Sequence, residues 1–152
     1  MYPSLKAIDR IVDLGGVDPQ SIGSGSTISS GWISAQQYGS FVAMLRTGVI
    51  GASGSVNMQI RQATDSSGTG AKNITGKTLT APLTNAGYPT SGQAEINIRG
   101  DELDVSNGFA YLQIQVTATA AAALASAALV GNDPRNGPCS SNLPATMSQA
   151  VG

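Results

Sequence analysis

A chain of 152 residues with 41% apolar side chains is one domain's worth of material, and at that length roughly 68–70% of the unfolded chain's surface can be buried. Only 11% of the residues are charged and the net charge is −1, so there is no cationic footprint for phosphates or anionic lipid, and a dedicated nucleic-acid binder is excluded. Histidine is absent and Cys139 is the only cysteine, which removes Ser-His-Asp and Cys-His catalysis, His-ligated metals and any disulfide within the chain.

No apolar run approaches the roughly 18–20 residues of a membrane-spanning helix, and the first residues lack the cationic start and continuous apolar stretch of a signal peptide. The expectation is a protein that stays in the cytoplasm of the cell that makes it and has no membrane partner. In that compartment Cys139 reads as an inert thiol rather than a cross-link between subunits, and the Asn73-Ile74-Thr75 sequon means nothing.

Residues 1–22 mix apolar side chains with Pro3, Gly15, Gly16 and Pro19, which predicts an extended arm, with a weak strand signal over 6–14. Further weak strands are expected at 26–34 and 39–50, bounded by glycine and serine clusters. The run Gly51-Ala52-Ser53-Gly54 is short enough to close a hairpin. Residues 55–63 then alternate cleanly, with Val56, Met58 and Ile60 on one face and Asn57, Gln59 and Arg61 on the other, the signature of a half-buried strand. A flexible 65–70 stretch leads to a weaker strand at 73–80. The alternation returns at 93–99, with Ala94, Ile96 and Ile98 on the apolar side. After the Asn107-Gly108 turn it returns at 109–119, with Ala110, Leu112, Ile114, Val116 and Ala118. Val56, Met58, Ile60, Ile96, Ile98, Leu112, Ile114 and Val116 are therefore expected to share one interior.

Residues 120–128, AAAALASAA, have the best helix propensity in the chain. They are nevertheless read as part of a strand over 121–130, because Thr117 and Thr119 lead in, Gly131 closes the segment and no N-cap precedes it. All seven prolines (Pro3, Pro19, Pro82, Pro89, Pro134, Pro138, Pro144) lie outside these predicted strands, as ladder bonding requires. Many short strands without alternating helices predict an all-β fold, an antiparallel β-sandwich or jelly roll of about seven or eight strands. The expected organisation is an N-terminal arm at 1–22, a sandwich at 23–133 and a C-terminal arm at 134–152. Tyr2, Leu5, Ile8 and Ile11 in the first arm and Leu143 and Met147 in the second are candidate interface residues. They combine apolar surface with breakers that prevent a compact fold of their own.

Three motifs invite a chemical reading. Residues 71–78, AKNITGKT, fit a relaxed phosphate-loop pattern, but that motif needs a buried strand before it and a helix starting at Lys77. Pro82 allows such a helix barely one turn, so nucleotide binding is not expected and Lys77 is read as a surface residue dispensable for folding. Asp101, Glu102 and Asp104 could gather around a calcium ion, yet the spacing is not that of an EF-hand loop and a polar turn between strands is the simpler reading. Trp32 and Tyr38 read as core or sheet-face aromatics, and aromatic content of 5% provides no stacking platform for sugars or single strands. No enzyme activity, metal, cofactor or small-molecule substrate is expected.

Three stretches carry a resemblance: QIRQATDSSGTGAKNITGKTLT at 59–80, IRGDELDVSNGFAYLQIQVTATAAA at 98–122 and GNDPRNGP at 131–138. Together they cover a little over a third of the chain. They resemble a family of small virion structural proteins of tailed bacteriophages, the capsid decoration or cement proteins. The resemblance implies a sandwich or jelly roll that binds the major capsid protein on the outer capsid surface, as a homo-oligomer (dimer or trimer), with no catalytic residues to carry over. A neck, tail or fibre protein of the virion is the alternative. A surface low in charge and rich in Ser, Thr, Asn and Gln suits flat packing against other subunits at high copy number.

Overall fold

The computed structural model describes residues 6–141 and 143–149. Its strands, in chain order, are β1 (Ile11–Ile22), β2 (Thr27–Ser29), β3 (Ile33–Ser34), β4 (Tyr38–Ile50), β5 (Ser55–Ala63), β6 (Lys72–Thr78), β7 (Leu83–Thr84), β8 (Gly92–Arg99), β9 (Tyr111–Thr119) and β10 (Ala123–Pro134). Sheet I has the order β1-β10-β4-β8 and sheet II the order β2-β9-β5-β6, with β3 added to β9 and β7 to β5. Every pairing is antiparallel. Setting aside the two-residue β3 and β7 leaves eight strands; numbered along the chain, their sheet orders are 1-8-3-6 and 2-7-4-5. That is a jelly roll, two Greek keys wrapped into facing sheets.

The period-two pattern places the core. Val56, Met58 and Ile60 of β5 and Leu112, Ile114 and Val116 of β9 are 0% exposed, and Ile60 stands opposite Ile114 in the ladder. Ile96 and Ile98 of β8 are buried with them, as are Phe41, Ala43 and Leu45 of β4 and Leu129 of β10. All eight core residues expected from the alternation lie inside. Tyr38 and Phe41 meet edge to face at 6.2 Å, the arrangement that ring quadrupoles favour.

The alanine-rich segment is a strand because both of its edges are taken. β10 pairs with β1 on one side and β4 on the other, and a helix there would strip backbone partners from both neighbours. Ala123, Ala125 and Ala127 point inward and are buried, so tertiary context overrides the helix propensity of alanine.

Five expectations are corrected. The arm boundary at residue 22 is wrong, since Ile11–Ile22 is a full strand of sheet I with Val12, Val17 and Ile22 in the core. Pro19 therefore lies within a strand, which the fold tolerates because β1 is at the sheet edge and its register shifts between Val17 and Gln20. The missing N–H breaks no ladder bond there. A second bulge, between Asp13 and Gly16, uses Gly15 at φ +106°. It also needs Gly16, where a Cβ would come within 1.9 Å of the Ala127 carbonyl oxygen.

Second, the single strand expected over 26–34 is split. Ser30 holds the gap closed: its N–H donates to the Ile114 carbonyl at 2.9 Å and its Oγ accepts the Ile114 N–H at 3.0 Å. Third, residues 51–54 do not close a hairpin, because β4 belongs to sheet I and β5 to sheet II. The turn carries the chain from one sheet to the other, tied at its start by the Gly51 N–H bonding to the Ala122 carbonyl at 2.9 Å. Fourth, the C-terminal segment is not detached from the sandwich. Cys139 is 0% exposed and Met147 packs on the core; a thiol is a small hydrophobe that buries readily. Burial, reinforced by the Asp9 and Asp133 carboxylates, pushes the Cys139 thiol up in pKa, which makes it a poor nucleophile. The 65–70 stretch is also shaped rather than loose. Asp65 Oδ1 accepts the N–H groups of Ser67 at 2.9 Å and Thr69 at 3.0 Å, and Gly68, at φ +85°, lies under the Trp32 indole.

Two substitutions test this interior. Ile114→Ala should cost about 2–5 kcal/mol in urea denaturation, the usual range for emptying a packed aliphatic site. Thr47 is buried with its Oγ1 unpartnered, so the isosteric Thr47→Val should leave stability unchanged or raise it by about 1 kcal/mol; a clear loss would reveal a partner for the hydroxyl.

Candidate assembly surfaces

The outward faces of the two sheets differ. On sheet II the alternation turns Asn57, Gln59 and Arg61 of β5 outward beside Gln113, Gln115 and Thr117 of β9, all six half-buried. These groups satisfy one another across strands: Gln59 Nε2 donates to Gln115 Oε1 at 2.7 Å, Arg61 to Gln113 Oε1 at 3.4 Å, and the Thr27 and Thr117 hydroxyls lie 2.7 Å apart. Such cross-strand pairs leave little unmet hydrogen-bonding demand.

On sheet I the outward residues are apolar at the centre. Val42 stands opposite Val130 and Met44 opposite Ala128, all four half-buried. Glu95 borders this patch beside Met44, and Asp13 borders it beside Val130. Where β1 bulges, a cavity of about 290 Å³ opens against Asp13, Gly16, Met44, Arg46 and Ala128. An apolar centre with a charged rim is the anatomy of a protein interface.

The described segments before β1 and after β10 meet beside β1. Ser140 Oγ donates to Asp9 Oδ1 at 2.8 Å, and residues Pro144, Thr146 and Met147 share a groove with Asp13 and Gly15. Of the predicted interface residues, Ile8 is half-buried in the turn Ala7–Asp9, Ile11 and Leu143 are exposed, and Met147 is half-buried against the core. Tyr2 and Leu5 lie outside the described residues. The apolar centre of sheet I was missed because β4 does not alternate between apolar and polar; Val42 and Met44 join Phe41, Ala43 and Leu45 in one apolar run.

The three acidic residues of the β8–β9 connection each face a different cation. Asp101 pairs with Arg99 at 3.1 Å, Glu102 with Lys77 at 2.8 Å and Asp104 with Lys72 at 2.5 Å. Asp104 also accepts from Asn107 Nδ2 at 2.8 Å, and its N–H donates to Gln62 Oε1 at 2.8 Å. Hydrogen bonds from Lys77 and the Arg99 N–H hold the Glu102 carboxyl below its usual range, and those from Lys72 and Asn107 do the same for Asp104. The cluster is a set of struts for the connection.

Lys77 has partners that its expected place on the surface did not suggest. It lies on β6, with no helix after it, and its Nζ donates to the Asn97 carbonyl of β8 at 2.6 Å as well as pairing with Glu102. It thereby links an edge strand of sheet II to an edge strand of sheet I, and it is largely buried, its side chain 17% exposed.

No protein-family model matches the sequence, and none of the curated proteins matches it. Solved structures do match in fold. A chain of infectious bursal disease virus, Gx strain, aligns with 86% of this chain and 34% of its own length, at TM-score 0.55 and 16% identity. A mutant VP2 protein of the same virus, in derived T=1 particles, aligns with 86% and 32%, at TM-score 0.54 and 14% identity. This chain spans about a third of the length of these two chains. At such identity the likeness is one of fold, and the fold is the jelly roll found in viral particles.

Lys77→Ala should lower stability by about 1–2 kcal/mol, through loss of a charge-assisted hydrogen bond and a partly buried ion pair. Because the Glu102 and Asp104 carboxyls titrate lower in the folded than in the unfolded chain, their contribution is present above the unfolded range of about pH 4–4.5 and is lost as pH falls below it. Glu102→Gln should therefore flatten part of the fall in melting temperature between about pH 6 and pH 3.

Proposed function

We propose that this protein is a non-enzymatic structural component of a virion, and that it decorates and cements the capsid of a tailed bacteriophage by binding the major capsid protein on the outer capsid surface. The observation that carries this reading is the strand order 1-8-3-6 and 2-7-4-5, shared in fold with chains of viral particles. The resemblance of residues 59–80, 98–122 and 131–138 to phage decoration proteins supports the finer assignment. The apolar outer face of sheet I, bordered by both chain ends, supplies the surface that would lie on the shell. Ile8, Ile11, Leu143 and Met147 extend it at the β1 edge.

The test uses purified capsids from particles lacking this protein, with bound copies counted by densitometry and located in cryo images of labelled particles. The expected result is saturable binding of hundreds of copies per shell. Met44→Asp or deletion of residues 1–10, which precede β1, should weaken binding while leaving the thermal transition within a few degrees of wild type. Binding of only a few copies at one vertex would instead assign the protein to a neck, tail or fibre. No binding to shells or tails would overturn the virion reading.

A further inference from the structure

The end of the sandwich opposite the Gly51–Gly54 turn holds a cavity of about 270 Å³. Its wall is mostly apolar, formed by Ala35, Leu103, Phe109 and Ala110 with Val105 at the rim; Gln36 adds an amide, and Arg135 is the one charged residue among the described residues that line it. Leu103 and Phe109 are buried, and the connection that carries them is braced. Asp104 is held by Lys72, Asn107 and Gln62, Gly108 adopts a left-handed φ of +81°, and the Lys72 ammonium sits 4.1 Å above the Phe109 ring. The cavity is therefore preformed.

Beside this hole stands a knob. Val105 opens the single turn Val105–Asn107 and is 61% exposed, the most exposed of the large hydrophobic residues described. The charges are arranged in the same way. Arg135 anchors its main chain through an N–H bond to the Gln37 carbonyl at 2.9 Å. Its guanidinium lies over Gly100, so close that a Cβ there would meet Nη2 at 2.9 Å, and none of the described residues gives it a carboxylate within 4 Å. Next to Gly100, Asp101 presents a carboxylate that is 71% exposed and paired with an equally exposed Arg99, a pairing of little energetic weight.

We infer that this end of the sandwich docks against the same surface of a second copy of the chain. Knob and hole, cation and anion lie side by side in one patch, which is the self-complementarity a two-fold interface requires. A two-fold axis through the patch seats each Val105 in the other copy's cavity and brings each Arg135 to the other copy's Asp101. A peptide filling the cavity would cover its wall, Val105 included, and leave the Asp101 carboxylate exposed. The inference goes beyond the virion reading and does not depend on it, because the contact needs no shell.

The test is sedimentation equilibrium on the purified full chain from about 1 μM to about 1 mM. The expected result is a monomer–dimer equilibrium whose midpoint moves at least about tenfold higher in concentration for Val105→Asp and for Arg135→Glu. Both variants should keep the wild-type thermal transition, since both side chains are exposed. Combining Arg135→Glu with Asp101→Arg should restore the wild-type midpoint. A wild-type chain that stays monomeric throughout, a trimer, or a dimer indifferent to these substitutions would overturn the inference and leave the capsid-binding result untouched.

Discussion

The sandwich depends on where its last strand goes. β10 is inserted between β1 and β4, so sheet I joins the beginning, middle and end of the chain. Such closure carries a high entropic cost in folding, because few of its contacts are local. The side chains of β10 fit that position. Ala123, Ala125 and Ala127 present small inward surfaces opposite Ile50, Thr47 and Leu45 of β4. Further along, Gly131 leaves room for the Tyr38 ring, whose Cγ would lie 3.0 Å from any Cβ at that position. Substituting larger residues along this strand would push its neighbours apart in both directions.

Charge is used sparingly and locally. With few ionic groups available, three acids are spent on one connection, each against its own cation, and one of these pairs reaches from sheet II to sheet I through Lys77. The edge strands β6 and β8 are thereby held together where neither has a ladder partner on its outer side. Edge β1 is protected differently, by two bulges and Pro19, devices that prevent unplanned strand pairing. The polar face of sheet II closes on itself through amide and hydroxyl pairs. Unsatisfied apolar surface is left mainly on the outer face of sheet I and at the two ends of the sandwich.

These surfaces are distinct. The outer face of sheet I runs along the flat of the molecule, beside the chain ends, whereas the Arg135 cavity opens at one end. On the proposed reading, a shell contact through the one would not compete with a second copy at the other. Separation of this kind lets a small domain join several neighbours while keeping its core intact.

The sequence by itself determined the all-β class, the core faces of β5, β8 and β9 and the absence of familiar histidine- or thiolate-based sites, because a period of two and a missing residue type are local facts that need no partner to be read. It also carried the strand assignment of the alanine-rich segment, through the threonines before it and the glycine after it. Only the tertiary structure decided which strands share a sheet. The turn at 51–54 looks like a hairpin in isolation, and its crossing between sheets follows from β4 finding β8 and β10 rather than β5. Pro19 and the paired glycines of β1 read as an arm because their breaking effect is local, while the edge position that tolerates them is set by pairing with a strand over a hundred residues away. The same holds for Lys77, whose partners Asn97 and Glu102 are brought to it by the approach of two sheet edges that no local pattern encodes.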